Sequence, residues 1–134
     1  MAHPAFKQDT HRQLRVAAAI RRALGEIFVE ASRFHPNLSQ FMLSITNVKM
    51  SPDLKLAKVY VMPMATHKYG PQDVLPVLQD VKNRVRQALA GFLRMKFMPE
   101  LRFFWDDNFE NALRIETLLH DEKVQKDLHQ EDID

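Results

Sequence analysis

Two runs of alternating apolar and polar residues constrain the fold of this chain most strongly. The first run covers residues 43–50, the second covers residues 57–62, and Ser51-Pro52-Asp53 lies between them. Alternation with a period of two places every second side chain on the same face of a β-strand, and serine, proline and aspartate favour turns. The pattern therefore predicts an antiparallel hairpin with one apolar face, which other parts of the chain must cover.

A helical pattern precedes the hairpin. Apolar residues recur at helical spacing between positions 10 and 32 and share one side of the predicted helix. Thr10 and Gln13 have the spacing of a capping box, in which the hydroxyl accepts from an early backbone N–H and the glutamine side chain bonds back to the cap. His35-Pro36 ends the pattern, because the residue before a proline avoids helical geometry. We therefore predict a helix over residues 10–32.

A second helix and a third strand follow the hairpin. Asp73 can cap a helix whose apolar residues keep helical spacing to about Lys96, and Pro99 lies beyond its end. Leu101–Trp105 is a short run of high β-propensity, and the spacing over residues 112–119 indicates a short C-terminal helix. The predicted order is α-β-β-α-β plus this last helix. This order is typical of an α+β fold in which helices cover a three-stranded sheet.

Length and composition restrict the class of protein. A chain of 134 residues suits one domain, and a hydrophobic content of 46% is ordinary for a globular protein. No stretch approaches the roughly 20 uninterrupted apolar residues of a membrane span, and the N-terminus lacks the apolar run of a secretory signal. The absence of cysteine excludes disulfides and thiolate sites and is compatible with a reducing compartment. We expect a soluble cytoplasmic protein with no membrane partner.

Charge is distributed unevenly along the chain. Residues 121–134 contain six acidic side chains and two lysines, a net charge of −4, whereas residues 1–120 contain 17 basic and 11 acidic side chains, a net charge of +6. We therefore expect a flexible N-terminus over residues 1–9, a basic domain over residues 10–120 and an acidic, disordered tail over residues 121–134. A basic body suits a polyanionic partner, although an ordinary solvated surface has a similar composition.

Residues that could carry catalysis are sparse. The six histidines are scattered, and no two of them have the spacing that places two metal ligands on one helical face. Asp106 and Asp107 are adjacent, but carboxylates in a strand-to-helix turn more often cap helices or accept from backbone amides. Three glycines are too few for a loop that cradles phosphates. We predict no catalytic residue, no metal site, no cofactor and no small-molecule substrate.

Basic side chains form a more informative pattern on the first predicted helix. At about 100° per residue, His11, Arg15 and Arg22 fall together roughly opposite its apolar side. Arg12 and Arg21 flank this basic stripe. No acidic residue follows on this face before Glu26. Because a solubilising face normally mixes both signs of charge, the pattern modestly favours contact with phosphates over simple solvation.

Further basic and aromatic residues lie on the other predicted elements. The additional candidates for RNA contact are basic residues of the hairpin and the second helix, namely Lys55, Lys58, Lys82, Arg86 and Arg94. Phe103 and Trp105 alternate with Leu101, so we expect them to pack in the core rather than stack on RNA bases. The alternation leaves the burial of Tyr60 and Phe104 open.

The hairpin also resembles a known family. Residues 44–61 read as a threonine-containing strand, a Ser-x-Asp-Leu turn and an Ala-Lys-Val strand, which is similar to the central signature of the ribosome-binding factor A family. Residues 94–103 resemble its Pro-Glu-Leu-x-Phe segment with a preceding arginine, and Asp106 and residues 114–119 resemble its closing pattern. The segments follow one another in the family's order, and the resemblance covers about residues 6–120.

The resemblance implies a type II KH-like fold, association with the free 30S ribosomal subunit, a role in late maturation and processing of 16S rRNA, and no enzymatic activity. A KH domain normally clamps nucleotides with a GXXG loop between two helices. This family has instead a helix–kink–helix marked by Ala-x-Gly, and the aligned residues here are Val81, Lys82 and Asn83. Neither small residue is present, but Asn83 tolerates left-handed backbone geometry. The resemblance thus implies a kink at these positions, with Lys82, Arg84 and Arg86 around it as RNA contacts.

Binding to another protein is the alternative function. The long second helix would then dock on a partner helix through an exposed apolar patch, and binding would depend only weakly on salt. Binding to RNA through cations would instead depend steeply on salt. A monomer is the default expectation for either function.

Overall fold

A computed structural model describes residues 8–63 and 68–107 of the chain. The elements in chain order are α1 (His11–Val29), a turn of 3-10 helix (Ala31–Arg33), α2 (Leu38–Phe41), β1 (Leu43–Met50), β2 (Leu56–Pro63), α3 (Pro71–Ala90) and β3 (Glu100–Trp105). The predicted α-β-β-α-β order is confirmed, with the short α2 as an addition. The predicted helix at residues 112–119 and the acidic tail at 121–134 lie outside the described residues, as do residues 1–7 of the predicted flexible N-terminus.

The three strands form one mixed sheet in the order β1-β2-β3. β1 and β2 are antiparallel, as predicted, and β3 runs parallel to β2 on the other side. The crossover between these parallel strands contains α3. A bulge at Thr46 shifts the register of β1 between Ile45 and Asn47. The extra residue allows Ile45 and Val48, which are three positions apart, to be buried on the same face.

The core lies between the sheet and its two long helices. α1 packs against β1, α3 packs against β3, and the two helices also contact each other. Fully buried apolar side chains come from both helices and from two of the strands, among them Ile20, Leu24, Leu78, Val81, Val85, Val59 and Leu101. Because both helices lie on one face of the sheet, the opposite face is free of them.

The N-terminus of α1 forms the predicted capping box. The Thr10 hydroxyl accepts from the Gln13 backbone N–H at 3.2 Å, and the Gln13 side-chain oxygen accepts from the Thr10 backbone N–H at 2.9 Å. Gln13 is buried, and its Nε2 also donates to the backbone carbonyl oxygen of Met50 at 3.1 Å. The same side chain therefore caps α1 and ties it to the end of β1.

Asp73 stabilises the start of α3, as predicted, but the N-cap position is three residues earlier, at Gly70. Gly70 is the N-cap residue, and Pro71 opens the helix, where its missing N–H costs little. The Asp73 carboxylate accepts from the Gly70 backbone N–H at 2.9 Å. Asp73 thus stabilises the helix start from within the first turn, where a negative charge also interacts favourably with the helix dipole.

The end of α3 lies earlier than the periodicity predicts. The helix ends at Ala90 rather than at about Lys96, and the Gly91 N–H donates to the Ala88 carbonyl oxygen at 3.0 Å in a tightened last turn. Phe92 continues the apolar spacing of α3 but is 51% exposed. The apolar pattern therefore extends beyond the residues that the core can cover.

The implied kink at Val81, Lys82 and Asn83 is not found as a break in α3, since all three residues lie within one continuous helix. Asn83 does not have a positive φ; among the described non-glycine residues only Met42 and Leu54 do. Val81 is fully buried, as are Leu78 one turn before it and Val85 one turn after it. Continuous packing of this stripe on the sheet favours an unbroken helix.

Candidate nucleic-acid interface

Four arginines of α1 lie on the part of the helix that does not pack in the core. Arg12, Arg15 and Arg22 are all exposed, and so is Arg21. Within residues 8–63 and 68–107, none of these four arginines takes part in an ion pair. Glu30, just after the end of the helix, is instead paired with Arg33 at 2.9 Å. The guanidinium groups of this face are therefore available for external anions such as phosphates.

The basic residues of α3 do not form the single cluster that a kink implied. Arg84 Nη2 donates to the Phe34 carbonyl oxygen at 2.6 Å, in the connection between α1 and α2. Arg86 donates from Nε to the Pro99 carbonyl oxygen at 3.0 Å and from Nη2 to the Met98 carbonyl oxygen at 2.8 Å. The two arginines thus point to opposite sides of the helix, because two residues correspond to a rotation of about 200°.

These hydrogen bonds give both arginines a structural role. Arg86 holds the segment that leads into β3 against α3, and Arg84 holds the segment after α1. Both residues stay exposed, and a guanidinium has five N–H donors, so each retains donors for a further acceptor. Lys82 is half-buried and lies one turn before Arg86 on the same side.

The remaining predicted contacts lie at separate places. Arg94 is exposed but belongs to the irregular segment after α3 rather than to the helix. Lys55 is exposed in the hairpin turn, and its carbonyl oxygen accepts from the Glu100 N–H at 2.8 Å. Lys58 is exposed on the sheet face turned away from α1 and α3. The predicted residues therefore occupy three surfaces: the outer face of α1, the surroundings of α3 and the hairpin.

Two cations that the sequence interpretation missed lie beside Lys58. In the strand register, Lys49 of β1 and Arg102 of β3 are the direct partners of Lys58. Both are exposed. The alternation of the strands indicated that each of these side chains faces solvent, but their alignment depends on the pairing of β3 with β2 and on the bulge in β1, which local patterns do not reveal.

The aromatic residues of the strands divide between the two faces. Leu101 and Trp105 are buried and Phe103 packs against the core, which confirms the expected core role of this stripe. Tyr60 and Phe104, whose burial the alternation left open, lie on the opposite face. Their rings stack with centroids 5.6 Å apart and an interplanar angle of 29°.

The geometry around the adjacent carboxylates supports a structural role for the first of them. The Thr46 hydroxyl donates to the Asp106 carboxylate, which joins the bulge of β1 to the end of β3.

The histidine and carboxylate side chains do not assemble into a metal site in the described part of the chain. His35 Nδ1 accepts from the Asn37 backbone N–H at 3.1 Å. Among the described residues, no group of three or more histidine, cysteine, aspartate or glutamate side chains could hold a metal ion. In the same part of the chain, no helix has the length and apolar character needed to cross a membrane.

Comparison with known proteins identifies relatives of this chain. The model of a family described as ribosome-binding factor A matches residues 12–119. A ribosome-binding factor A from Methylobacterium sp. (strain 4-46) is 45% identical over 122 residues, which cover 89% of this chain and 84% of the relative. Another from Methylobacterium radiotolerans is 42% identical over 125 residues, covering 93% and 87%. The crystal structure of ribosome-binding factor A from Thermus thermophilus aligns with a TM-score of 0.57 and 29% identity over 69% of this chain and 93% of that chain. The α+β fold is thus the KH-like fold of these structures.

Proposed function

Because this chain belongs to the ribosome-binding factor A family, we propose that it binds the free 30S ribosomal subunit in the cytoplasm and assists late maturation and processing of 16S rRNA. In this proposal it acts as a monomer and without catalysis: it contributes binding energy to a folded rRNA junction. The contacts are phosphates of rRNA, held by basic side chains on the surfaces described above. The family name supports the ribosome as the partner.

The observation that carries the proposal is the set of exposed arginines on the outer face of α1, which are unpaired within the described chain. Arg12, Arg15 and Arg22 are exposed there, and no acidic side chain of the described chain pairs with them. Glu26, one turn after Arg22, is the only acidic residue within α1, so the arginines of this helix repel one another, and an RNA backbone would remove that repulsion on binding. Each phosphate that a cation neutralises releases counterions, so affinity should fall steeply as salt rises.

The proposed contact residues are the basic ones on the three surfaces, namely Arg12, Arg15, Arg22, Lys55, Lys58, Lys82, Arg84, Arg86 and Arg94. They differ in how specific a test each offers. Arg84 and Arg86 also hold neighbouring backbone, so their loss changes the protein as well as the contact. The arginines of α1 have no such bonds and are therefore the cleaner test.

The proposal is tested by sedimentation of the purified protein with free 30S subunits and with whole ribosomes, at low and at moderate salt. We expect it to migrate with free subunits at low salt, to be released as salt rises, and not to migrate with whole ribosomes. Failure to migrate with free subunits at low salt would refute the proposal.

Docking of a protein is the second candidate, and one groove supports it. A cavity of about 590 Å³ lies between the end of α1 and α3, and its lining includes Phe34, Phe92 and Val29. Val29 is 82% exposed and Phe92 51% exposed. The same groove is also lined by charged side chains, among them Glu26, Glu30, Arg33 and Arg84, so it suits an amphipathic helix of a partner protein. Binding that is insensitive to salt and is lost in Phe92→Ala would favour this candidate over RNA.

A further inference from the structure

We infer that the sheet face turned away from α1 and α3 binds unpaired nucleotides of RNA, with bases on Tyr60 and Phe104 and phosphates on Lys49, Lys58 and Arg102. This inference rests on the proposed function, because it assumes that the protein binds RNA. It places a second binding surface on the protein, separate from the basic face of α1. It is carried by the strand register, which aligns residues from three distant segments of the chain.

The first part of the surface is a row of three cations. Lys49, Lys58 and Arg102 occupy directly paired positions on β1, β2 and β3, and all three are exposed. Neighbouring strands lie about 4.8 Å apart, so the row is roughly 10 Å wide. An acidic side chain adjoins the row: Glu100 Oε1 lies 3.7 Å from Arg102 Nε, with more than half of each side chain exposed. A pair so exposed is screened by water and leaves the row positively charged.

The second part is the aromatic pair, two residues farther along the strands. Tyr60 of β2 and Phe104 of β3 are directly paired, and Asn47 of β1 completes the row. The pair lies roughly 7 Å from the cations, because a strand rises about 3.4 Å per residue. Phe104 is 37% exposed and Tyr60 is half-buried, whereas Met62, two residues beyond Tyr60 on β2, is buried. The exposed surface is therefore limited to these two rows and the hairpin end.

The combination of the cation row and the aromatic pair determines which ligand this surface can bind. Aromatic rings beside a row of cations bind single-stranded RNA, since bases stack on the rings while the cations hold the backbone. A duplex already stacks its bases internally and cannot offer them to Tyr60 and Phe104. A concave site of about 430 Å³ adjoins the surface and is lined by Lys49, Lys58 and Tyr60, with Asp9 as its acidic member. This volume is large enough for a base and its ribose.

Keeping the protein soluble is a poor explanation for the row of Lys49, Lys58 and Arg102. Like charges that face each other directly across strands destabilise a sheet, and Lys49 and Lys58 form such a pair. A face that serves only to stay in water would alternate cations with acids, as surfaces normally do. The arrangement tolerates repulsion in the free protein that phosphates would remove on binding.

The test is fluorescence anisotropy of a labelled, single-stranded RNA of roughly ten nucleotides containing all four bases, titrated with the full chain over a range of salt concentrations. We expect Phe104→Ala to weaken binding about tenfold, because one base loses its stacking partner. We expect the combined Lys49→Gln, Lys58→Gln and Arg102→Gln variant to lower the salt slope by about 2, since single strands contribute roughly 0.7 per neutralised phosphate. An unlabelled RNA hairpin duplex should compete poorly for this site.

Two controls make the outcome decisive. Phe97 is 74% exposed and lies off the sheet, so Phe97→Ala should bind the oligonucleotide like the unchanged protein. Chemical denaturation should find the three-fold glutamine variant at least as stable as the unchanged protein, because cross-strand repulsion is removed. Unchanged affinity of Phe104→Ala would overturn the inference, and so would equal competition by the duplex in a variant that also carries Arg12→Gln, Arg15→Gln and Arg22→Gln, which removes the basic face of α1. If the unchanged protein sediments with 30S subunits while Phe104→Ala has no effect on the oligonucleotide, only this inference fails and the proposed function stands.

Discussion

The Arg86 guanidinium donates to the Pro99 carbonyl oxygen across the gap between α3 and β3, at 3.0 Å from Nε. A second bond, from Nη2 to the Met98 carbonyl oxygen at 2.8 Å, makes the contact bidentate. These bonds fix the irregular segment that enters the parallel strand. A residue expected to contact RNA around a kink therefore also supports the fold, and its two roles must be separated experimentally.

Arg86→Lys separates these roles, because lysine keeps the charge but lacks the planar fork of donors. We expect the variant to lose about 1 kcal/mol of stability, a modest value because the bonds are partly exposed. Urea denaturation measures the loss, and hydrogen exchange should rise in residues 91–99. Arg94→Lys, at an exposed position of the same segment, is the matched control and should change neither. Equal stability of the two variants would contradict a structural role for Arg86.

Gln13→Ala removes a side chain that both caps α1 and donates to the carbonyl oxygen of Met50. We expect a loss of roughly 2 kcal/mol, because a buried acceptor loses its donor and the capping box is opened. Urea denaturation is again the measurement. Gln79→Ala, on the exposed side of α3, should stay within about 0.5 kcal/mol of the unchanged protein. A small effect at Gln13 would mean that water replaces the lost bonds.

The hairpin turn should respond to acid. Hydrogen bonds from the Ser51 hydroxyl and from the Lys55 backbone N–H hold the pKa of the Asp53 carboxyl below its ordinary value. Since folding lowers this pKa, the carboxylate stabilises the turn at pH values above the unfolded pKa, and the contribution is lost as pH falls through the lowered value. Ser51→Ala should raise the pKa of Asp53 towards its ordinary value in an NMR titration of the side-chain carboxyl carbon. An unchanged pKa would show that the Ser51 bond is not its main cause.

Met42 offers a stabilising substitution. Its φ of 48° lies in the left-handed region, and its side chain is 59% exposed after α2. Left-handed geometry costs a side-chain-bearing residue roughly 1 kcal/mol, which glycine avoids, while little packing is lost on removal of an exposed side chain. We expect Met42→Gly to gain about 0.5 kcal/mol in urea denaturation and Met42→Val to lose stability. A glycine variant less stable than the unchanged protein would contradict this account.

Local patterns predicted the elements because each depends on residues near one another in sequence. The hairpin followed from alternation, and the cap of α1 followed from the spacing of Thr10 and Gln13. The end of α3 was missed because Phe92 matches the helical period although the core does not reach it. Periodicity reports which side chains are apolar, and tertiary packing decides which of them are covered.

The candidate site was only partly predictable. The basic face of α1 could be derived from the helical step alone, and the same step also places Arg84 and Arg86 on opposite sides of α3. The expectation of a kink at residues 81–83 led us to group Arg84 and Arg86 in one cluster instead. By contrast, the row of Lys49, Lys58 and Arg102 depends on which strands pair and in which register. Local sequence patterns do not show that β3 is the parallel partner of β2.

The most direct test of the central claim compares the affinity of 30S subunits for the unchanged protein and for a variant with Arg12→Gln, Arg15→Gln and Arg22→Gln. Titration over a series of salt concentrations gives the affinity and its salt slope, with Arg33→Gln as the control for an arginine already paired with Glu30. The account predicts weaker binding and a slope lower by about 2 to 3, at roughly 0.9 per lost phosphate contact, while the control behaves like the unchanged protein. The same affinity and slope for the three-fold variant and the unchanged protein would contradict it.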